Sequence, residues 1–350
     1  MIFVTKLYEY ELGKAAKRLV KDCLNLQEDE TFLITADTES NERVVNATAR
    51  KAFEIGAKPM VLWIPSPLGV GKDADPMLSI DALTALLNEI DAWVEFNNQW
   101  LLYSTPFERA MEENENLRYL CLVGLNEEMM VRTIGRVDRS ELEDFMKTVA
   151  DLTKNAEEIR VTTPAGTDLR FKNHPDYPVD CDAGDASEPG MHFLAGQIAW
   201  TPDLESIEGE LVFDGSVDPP IGLLEDPIEM KIDKGEVVEI KGGRDAAEFE
   251  KWLNSFDNPN MKKLAHISYG FNPGAKLSGN ILEDERVWGC TEWGLGYLSS
   301  HNAPPDGIDA PSHTDGICLN STVWLDDVKL LDRGSIVHPD LEEYKKNLEK

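Results

Sequence analysis

Several things are scarce or missing from these 350 residues, and each absence closes off a class of function. No stretch approaches the ~20 consecutive apolar residues needed to cross a bilayer. The opening MIFVTKLYEYELGKAAKRL is a short apolar start running into a charged helix, without the basic region and long apolar run of a secretory leader. No membrane association and a cytoplasmic location are the expectations. Cysteine is sparse: Cys23, Cys121, Cys181, Cys290 and Cys318 are odd in number, widely spaced and never in a C-x-x-C pair, which argues against a disulfide framework or a cysteine zinc site. Basic residues are outnumbered, 34 against 65 acidic ones, and the formal net charge of -31 would repel a phosphate backbone, so nucleic acid is not an expected partner. No G-x-x-x-x-G-K-[ST] occurs, and the first strand-like run is followed by ADTESNE in place of G-x-G-x-x-G. The phosphate-cradling backbone of a nucleotide site is lacking.

What is present is ample core material, 42% hydrophobic residues, in a chain long enough for two domains. From about residue 29 the text alternates. TFLITAD reads as a buried strand, NERVVNATARKAFEIG as an amphipathic helix closed by glycine, and PMVLWIP as a second buried strand. Helices at DALTALLNEI and TPFERAMEENE and strands at AWVEFNN and RYLCLVGL continue the pattern. Apolar strands separated by helices predict parallel β-α-β units, so residues 1–156 read as a three-layer α/β domain. After the helix SELEDFMKTVADLTKNA the pattern changes. EIRVTTPAGTDLRF is a hairpin around a P-x-G turn, and GELVFDGSV, PIEMKIDKGEVVEIKGG and HISYGFNP are strand-like, interrupted by the helix AAEFEKWLNSF. Residues 157–350 therefore read as a β-rich α+β domain.

Histidine is rare, six residues, yet one stands two places from an aspartate in PSHTDG. Residues i and i+2 of a strand share a face, so His313 and Asp315 project together. Such a pair can ligate one metal, form an acid/base couple or make a surface hydrogen bond. His266 opens AHISYGFNPG, His192 sits in the glycine-bounded loop EPGMHFLAG, Glu292 lies in CTEWGLG, and Glu285 and Arg286 belong to LEDERVWG. Two histidines and one carboxylate around one side of a metal suit non-haem iron; further carboxylates shift the preference towards zinc, manganese or a two-metal hydrolase. Each residue also has an ordinary reading: a lone histidine is commonly a hydrogen-bonded structural group, and Glu285 can cap or salt-bridge within a charged run. His174, His301 and His338 lie in proline-flanked loops and read as solvated turn residues. Trp200 and Trp293 read as packing residues.

The segment LAHISYGFNPGAKLSGNILEDERVWGCTEWGLG, followed by SHTDG and TVWLDD, resembles the C-terminal signature of the aminopeptidase T family of metallopeptidases, as does the hairpin VTTPAGTDLRF. The likeness covers most of residues 155–335. The departures are informative. Where those peptidases carry a metal-binding glutamate before G-x-N-P, this chain has His266; where they carry a histidine, it has Glu292; and Gln197 falls at their earlier metal-binding glutamate. The loss of that charge favours one metal over a close pair. A second family on this fold, the 2,5-dihydroxypyridine 5,6-dioxygenases, is similar at H-I-x-aromatic-G-x-x-P-x-A (His266 to Ala275), at E-P-G followed by a histidine and a glycine (Glu188 to Gly196), and at the terminal H-x-D (His313 to Asp315).

This second resemblance implies an Fe(II)-dependent dioxygenase that cleaves a hydroxylated pyridine ring, with His266, His313 and Asp315 as ligands. His192 would be an acid/base group, and Glu292 a fourth ligand or an orienter of a histidine. The first resemblance implies instead a hydrolase with Zn(II), Mn(II) or Co(II), in which Glu292 joins the ligands and Tyr297 stabilises an oxyanion. A small-molecule substrate is expected in the dioxygenase case, and the resemblance implies a homo-oligomer in both.

Overall fold

The computed structural model describes residues 8–349; the apolar start MIFVTKL lies outside them. The chain forms two compact units, one from residues up to Arg139 together with Asp182–Ala195, the other from Ser140–Cys181 together with the residues from Gly196 onward. The division is thus not a single cut at 156. Helix Arg139–Asn155 belongs almost wholly to the second unit, where Phe145 packs edge-on against Phe271 at 5.0 Å and stacks on Trp288 at 5.6 Å. A later segment returns to complete the first unit's sheet.

In the first unit, β1 (Thr31–Asp37) is buried from Phe32 to Asp37, as expected of a parallel strand covered on both faces. Helix α1 (Glu9–Arg18) precedes it. Helix α2 (Glu42–Glu54) starts where the Asn41 side chain accepts the Arg43 and Val44 N–H groups, and Gly56, at φ 88°, lets the chain turn away beyond its end. Strand β2 (Lys58–Ile64) then pairs parallel with β1. It is not buried as its apolar text suggests: it is the sheet's edge, and Met60, Val61 and Trp63 are exposed. An edge strand has a neighbour on one side only, so composition alone cannot separate it from a central one.

Helix α3 (Ile80–Leu87), β3 (Ala92–Glu95), helix α4 (Thr105–Glu113) and β4 (Arg118–Cys121) continue the parallel winding. The chain then builds β5 (Glu158–Thr162), β6 (Asp168–Lys172) and β7 (Val179–Asp182) of the second unit before β8 (Gly190–Phe193) pairs parallel with β4. The resulting order is β2-β1-β3-β4-β8. At its centre two buried carboxylates anchor the loop after β3. Asp37 accepts the Asn98 and Gln99 N–H groups at 2.8 and 2.9 Å, and Glu95 accepts the Leu101 N–H and the Tyr119 hydroxyl.

The second unit is antiparallel apart from its helices. Its strands are β9 (Gln197–Trp200), β10 (Glu208–Phe213), β11 (Ser216–Asp218), β12 (Gly222–Leu223), β13 (Ile228–Asp233), β14 (Glu236–Gly242), β15 (Leu264–Gly270), β16 (Thr291–Leu298), β17 (Ile308–Cys318), β18 (Thr322–Leu325), β19 (Val328–Asp332) and β20 (Ser335–Ile336). One sheet runs β14-β13-β10-β6-β5-β18-β19-β20 and the other β12-β11-β17-β16-β15-β9-β7. The two pack through Phe171 of β6 against Trp293 of β16, edge to face at 5.5 Å, and a side chain at Gly316 of β17 would strike the Phe213 ring. The expected β5–β6 hairpin is present, and the five cysteines are free, four of them buried.

Burial raises the Glu95 carboxyl from 4.5 to about 7, against the hydrogen bonds from Leu101 and Tyr119 that favour its ionised form. Between those values the folded chain holds a proton that the unfolded chain has lost. Its contribution to stability is therefore complete below about pH 4.5 and is lost as pH rises through about 7. Glu95→Gln should remove this term, on the order of 3 kcal/mol, flattening the thermal unfolding midpoint against pH and raising it at pH 8. Parallel pH profiles for the two proteins would show that Glu95 is not buried as described.

Candidate metal centre

Strands β15, β16 and β17 lie side by side, and their register builds the site. His266 is opposite Gly294, Gly294 is opposite Asp315, and Asp315 is opposite Asp218 of β11. Four strands thus contribute one residue each to a single row. One pleat along, His313 stands opposite Gly296; one pleat the other way, Glu292 stands opposite Ser268. The alternation that sends Trp293 into the core between the sheets sends Glu292 and Gly294 to the other face. His313 and Asp315 lie within the eleven-residue β17 and share a face, as their spacing predicts.

The donors converge. His313 Nε2 is 2.8 Å from Asp315 Oδ1, His266 Nε2 is 3.6 Å from the same oxygen, and one ligand atom from each of the three residues lies within 4.8 Å of the others. Ligand bonds of roughly 2.1 Å at right angles put neighbouring donor atoms about 3 Å apart, so this spacing fits one divalent cation. The His313 Nδ1–H donates to the Tyr297 carbonyl at 2.7 Å, which leaves the Nε2 lone pair for the site. The side chains of His266 (19%), His313 (29%) and Asp315 (18%) keep some exposure, so a ligand can reach them.

Glu292 is fully buried beside this set. Its Oε1 is 3.0 Å from His266 Nε2 yet has no aligned hydrogen-bond donor, while its Oε2 accepts from the Gln197 amide at 3.4 Å. Gln197 also donates to Ser268. A buried carboxylate is costly unless a cation faces it, and a protonated His266 ring or a bound dication would each meet that need.

Electrostatics point the same way. Burial lowers the His266 imidazole, but the Glu292 and Asp315 carboxylates outweigh it and hold it at about 9. Burial raises Asp315, but His313 and His266 outweigh it and hold it at about 2. Glu285 is pushed up to about 8 by burial and by the Asp315 and Glu292 charges, although Arg286 at 2.9 Å opposes this; Asp218 is pushed up to about 6 by burial and by Asp315. Several carboxylates share a space too small for all of them to ionise without a countercharge.

Two glycines make the floor. A Cβ on Gly294 would lie 2.4 Å from two ring atoms of His266 and 2.8 Å from His313, whose rings are parallel with centroids 5.2 Å apart. Gly296, at φ 94°, passes against the Ser312 carbonyl. The sequence signal for both is the G-x-G that continues the alternation from Glu292 in TEWGLG. Asp218, in SVDPP, gives no comparable signal.

Other candidates are placed differently. His192 is not in a loop but in β8 of the first unit's sheet, with its Nε2 2.8 Å from the Glu188 carbonyl oxygen. The E-P-G text hides this because a four-residue strand joined to a distant neighbour has no local pattern. The Tyr297 side chain is about half exposed, and it is the main-chain carbonyl that touches the site. His338 is buried rather than solvated, accepting the Asp340 N–H.

The fold and site define a two-unit α/β and antiparallel β protein with a two-histidine, one-carboxylate centre. Residues 11–338 match the 2,5-dihydroxypyridine 5,6-dioxygenase (NicX) family, and the chain belongs to that family of dioxygenases. It is 25% identical over 336 residues to the 2,5-dihydroxypyridine 5,6-dioxygenase of Pseudomonas putida KT2440, covering 90% of this chain and 93% of the relative. The solved structure of 2,5-dihydroxypyridine dioxygenase from Pseudomonas putida KT2440 superposes with a TM-score of 0.77 at 22% identity, over 94% of this chain and 97% of that one. Wild-type AmpT from Thermus thermophilus superposes with a TM-score of 0.69 at 16% identity, over 94% and 100%. The dioxygenase and aminopeptidase T resemblances therefore share one fold. Among the described residues no helix is long and apolar enough to cross a membrane.

Gly294→Ala should leave far-ultraviolet circular dichroism unchanged while lowering divalent-metal affinity at least tenfold, because two ligand rings must move together. Calorimetric titration with Fe(II) or Mn(II) checks this; unchanged affinity would mean the rings do not stand over this strand as described.

Proposed function

We propose that the chain is a mononuclear Fe(II)-dependent ring-cleaving dioxygenase acting on a hydroxylated N-heteroaromatic such as 2,5-dihydroxypyridine, with His266, His313 and Asp315 as the metal ligands. The observation that carries the reading is the convergence of two imidazole nitrogens and one carboxylate oxygen on one sheet face in a chain of this dioxygenase family. A set of this kind leaves coordination positions free for substrate and O2. Iron bound there would supply the electron transfers that let O2 react with an aromatic ring.

The remaining roles belong to the protein. Tyr297 fixes the His313 tautomer through its carbonyl. Asp315 stays ionised at neutral pH. Glu292 offers its Oε1, 3.0 Å from His266 Nε2, as a fourth oxygen, and Gln197, an amide in contact with Glu292, brings no charge to support a second dication. His192 is assigned as the acid/base group on the likeness of the E-P-G-x-H segment. For hydrolysis only the shared fold speaks, and the exchange of charge at Gln197 speaks against it.

Anaerobic reconstitution should load about one iron per chain and give O2 uptake with 2,5-dihydroxypyridine. Two zincs or manganeses per chain with peptide cleavage would overturn the reading. His266→Ala and Asp315→Ala should each lose metal and more than 99% of turnover, as expected when one of three ligands goes. His192→Gln should keep full metal content and lose turnover by roughly 10²-fold or more; full activity in that variant would remove His192 from the mechanism.

A further inference from the structure

We infer that the open edge of β2 is where a second copy of this chain docks, strand to strand, about a two-fold axis at Val61. The inference is independent of the metal centre. Among the described residues β2 pairs with β1 alone. The Lys58 N–H donates to the Glu30 carbonyl at 2.7 Å, so Lys58, Met60, Leu62 and Ile64 turn their backbone groups towards β1. Alternation then turns those of Pro59, Val61 and Trp63 outward.

Edges of soluble proteins are commonly blunted by charge. This one carries exposed apolar side chains on both faces: Met60 on one, Val61 and Trp63 on the other. Its only charged side chain, Lys58, is paired with Asp29 at 3.0 Å. No acidic residue falls between 58 and 64, in a chain with 65 of them. The strand is a neutral, apolar opening in an otherwise repulsive surface.

The hydrogen-bonding pattern selects the occupant. In an antiparallel pair centred on Val61, the two Val61 residues exchange both of their bonds, and each Trp63 N–H meets the Pro59 carbonyl of the other copy. Pro59 has no N–H to give in return. Every outward donor on both strands then finds an acceptor, and the proline gap falls at the end of the ladder, where solvent can reach the unmatched carbonyl. A strand from another protein would have to match that gap, whereas a second copy does so by symmetry. Two chains of net charge -31 repel, so their association should tighten as salt screens them.

Sedimentation velocity of the intact chain tests the inference. The wild type should sediment as a dimer or a multiple of one, more completely at high salt. Val61→Lys and Trp63→Lys, both at exposed positions, should halve that mass with unchanged circular dichroism. Val61→Cys should be linked into a dimer by a short bismaleimide, whereas Tyr10→Cys, at a more exposed site, should not. A monomeric wild type overturns the inference and would leave a foreign strand as the occupant. An oligomer whose mass neither lysine variant changes, and which Val61→Cys does not link, overturns it as well.

Discussion

The register of three antiparallel strands is the constraint on which the rest of the site depends. β16 must run between β15 and β17 with Gly294 level with both His266 and Asp315. A slip of one residue on either side would send one of the converging donors to the core face. The packing of Trp293 against Phe171 and of Phe213 against Gly316 opposes such a slip, because the opposite face of these strands fills the space between the sheets. Core packing thus sets the metal site from behind. The glycines complete it from below: with no side chain at 294, the two imidazoles can lie parallel above the strand and direct their Nε2 atoms to one place.

The same arrangement creates an electrostatic demand. Asp218, Glu285, Glu292 and Asp315 are gathered with His266, His313 and Arg286 as partly compensating groups. Without a metal, a proton held by His266 answers part of that demand. A dication would answer more of it, and Glu292 Oε1, 3.0 Å from His266 Nε2, lies beside the converging donors. The Gln197 amide limits the demand. It meets one Glu292 oxygen with a neutral donor at 3.4 Å and adds no charge of its own.

The first unit carries a different logic. Its parallel sheet places Asp37 and Glu95 at the ends of β1 and β3, where they tie down the loop that follows β3 by accepting backbone N–H groups. These carboxylates do structural work at the position where nucleotide-binding relatives of such sheets place a glycine-rich turn.

Much of this was legible beforehand. The repeating apolar strands and amphipathic helices specified the parallel unit, because their periods follow from local backbone geometry. The spacing of His313 and Asp315 specified a shared face for the same reason. Ordered motifs from His266 to Asp315 carried the family and pointed to the three residues whose donor atoms converge. The sequence did not determine that β2 lies at an edge, that β8 crosses back to the first sheet, or that His192 therefore sits in the first unit. Nor did it show that Asp218 joins the row of His266, Gly294 and Asp315. Each of these depends on which strand becomes a neighbour of which, and that is settled by long-range packing between sheets rather than by any residue's own preference.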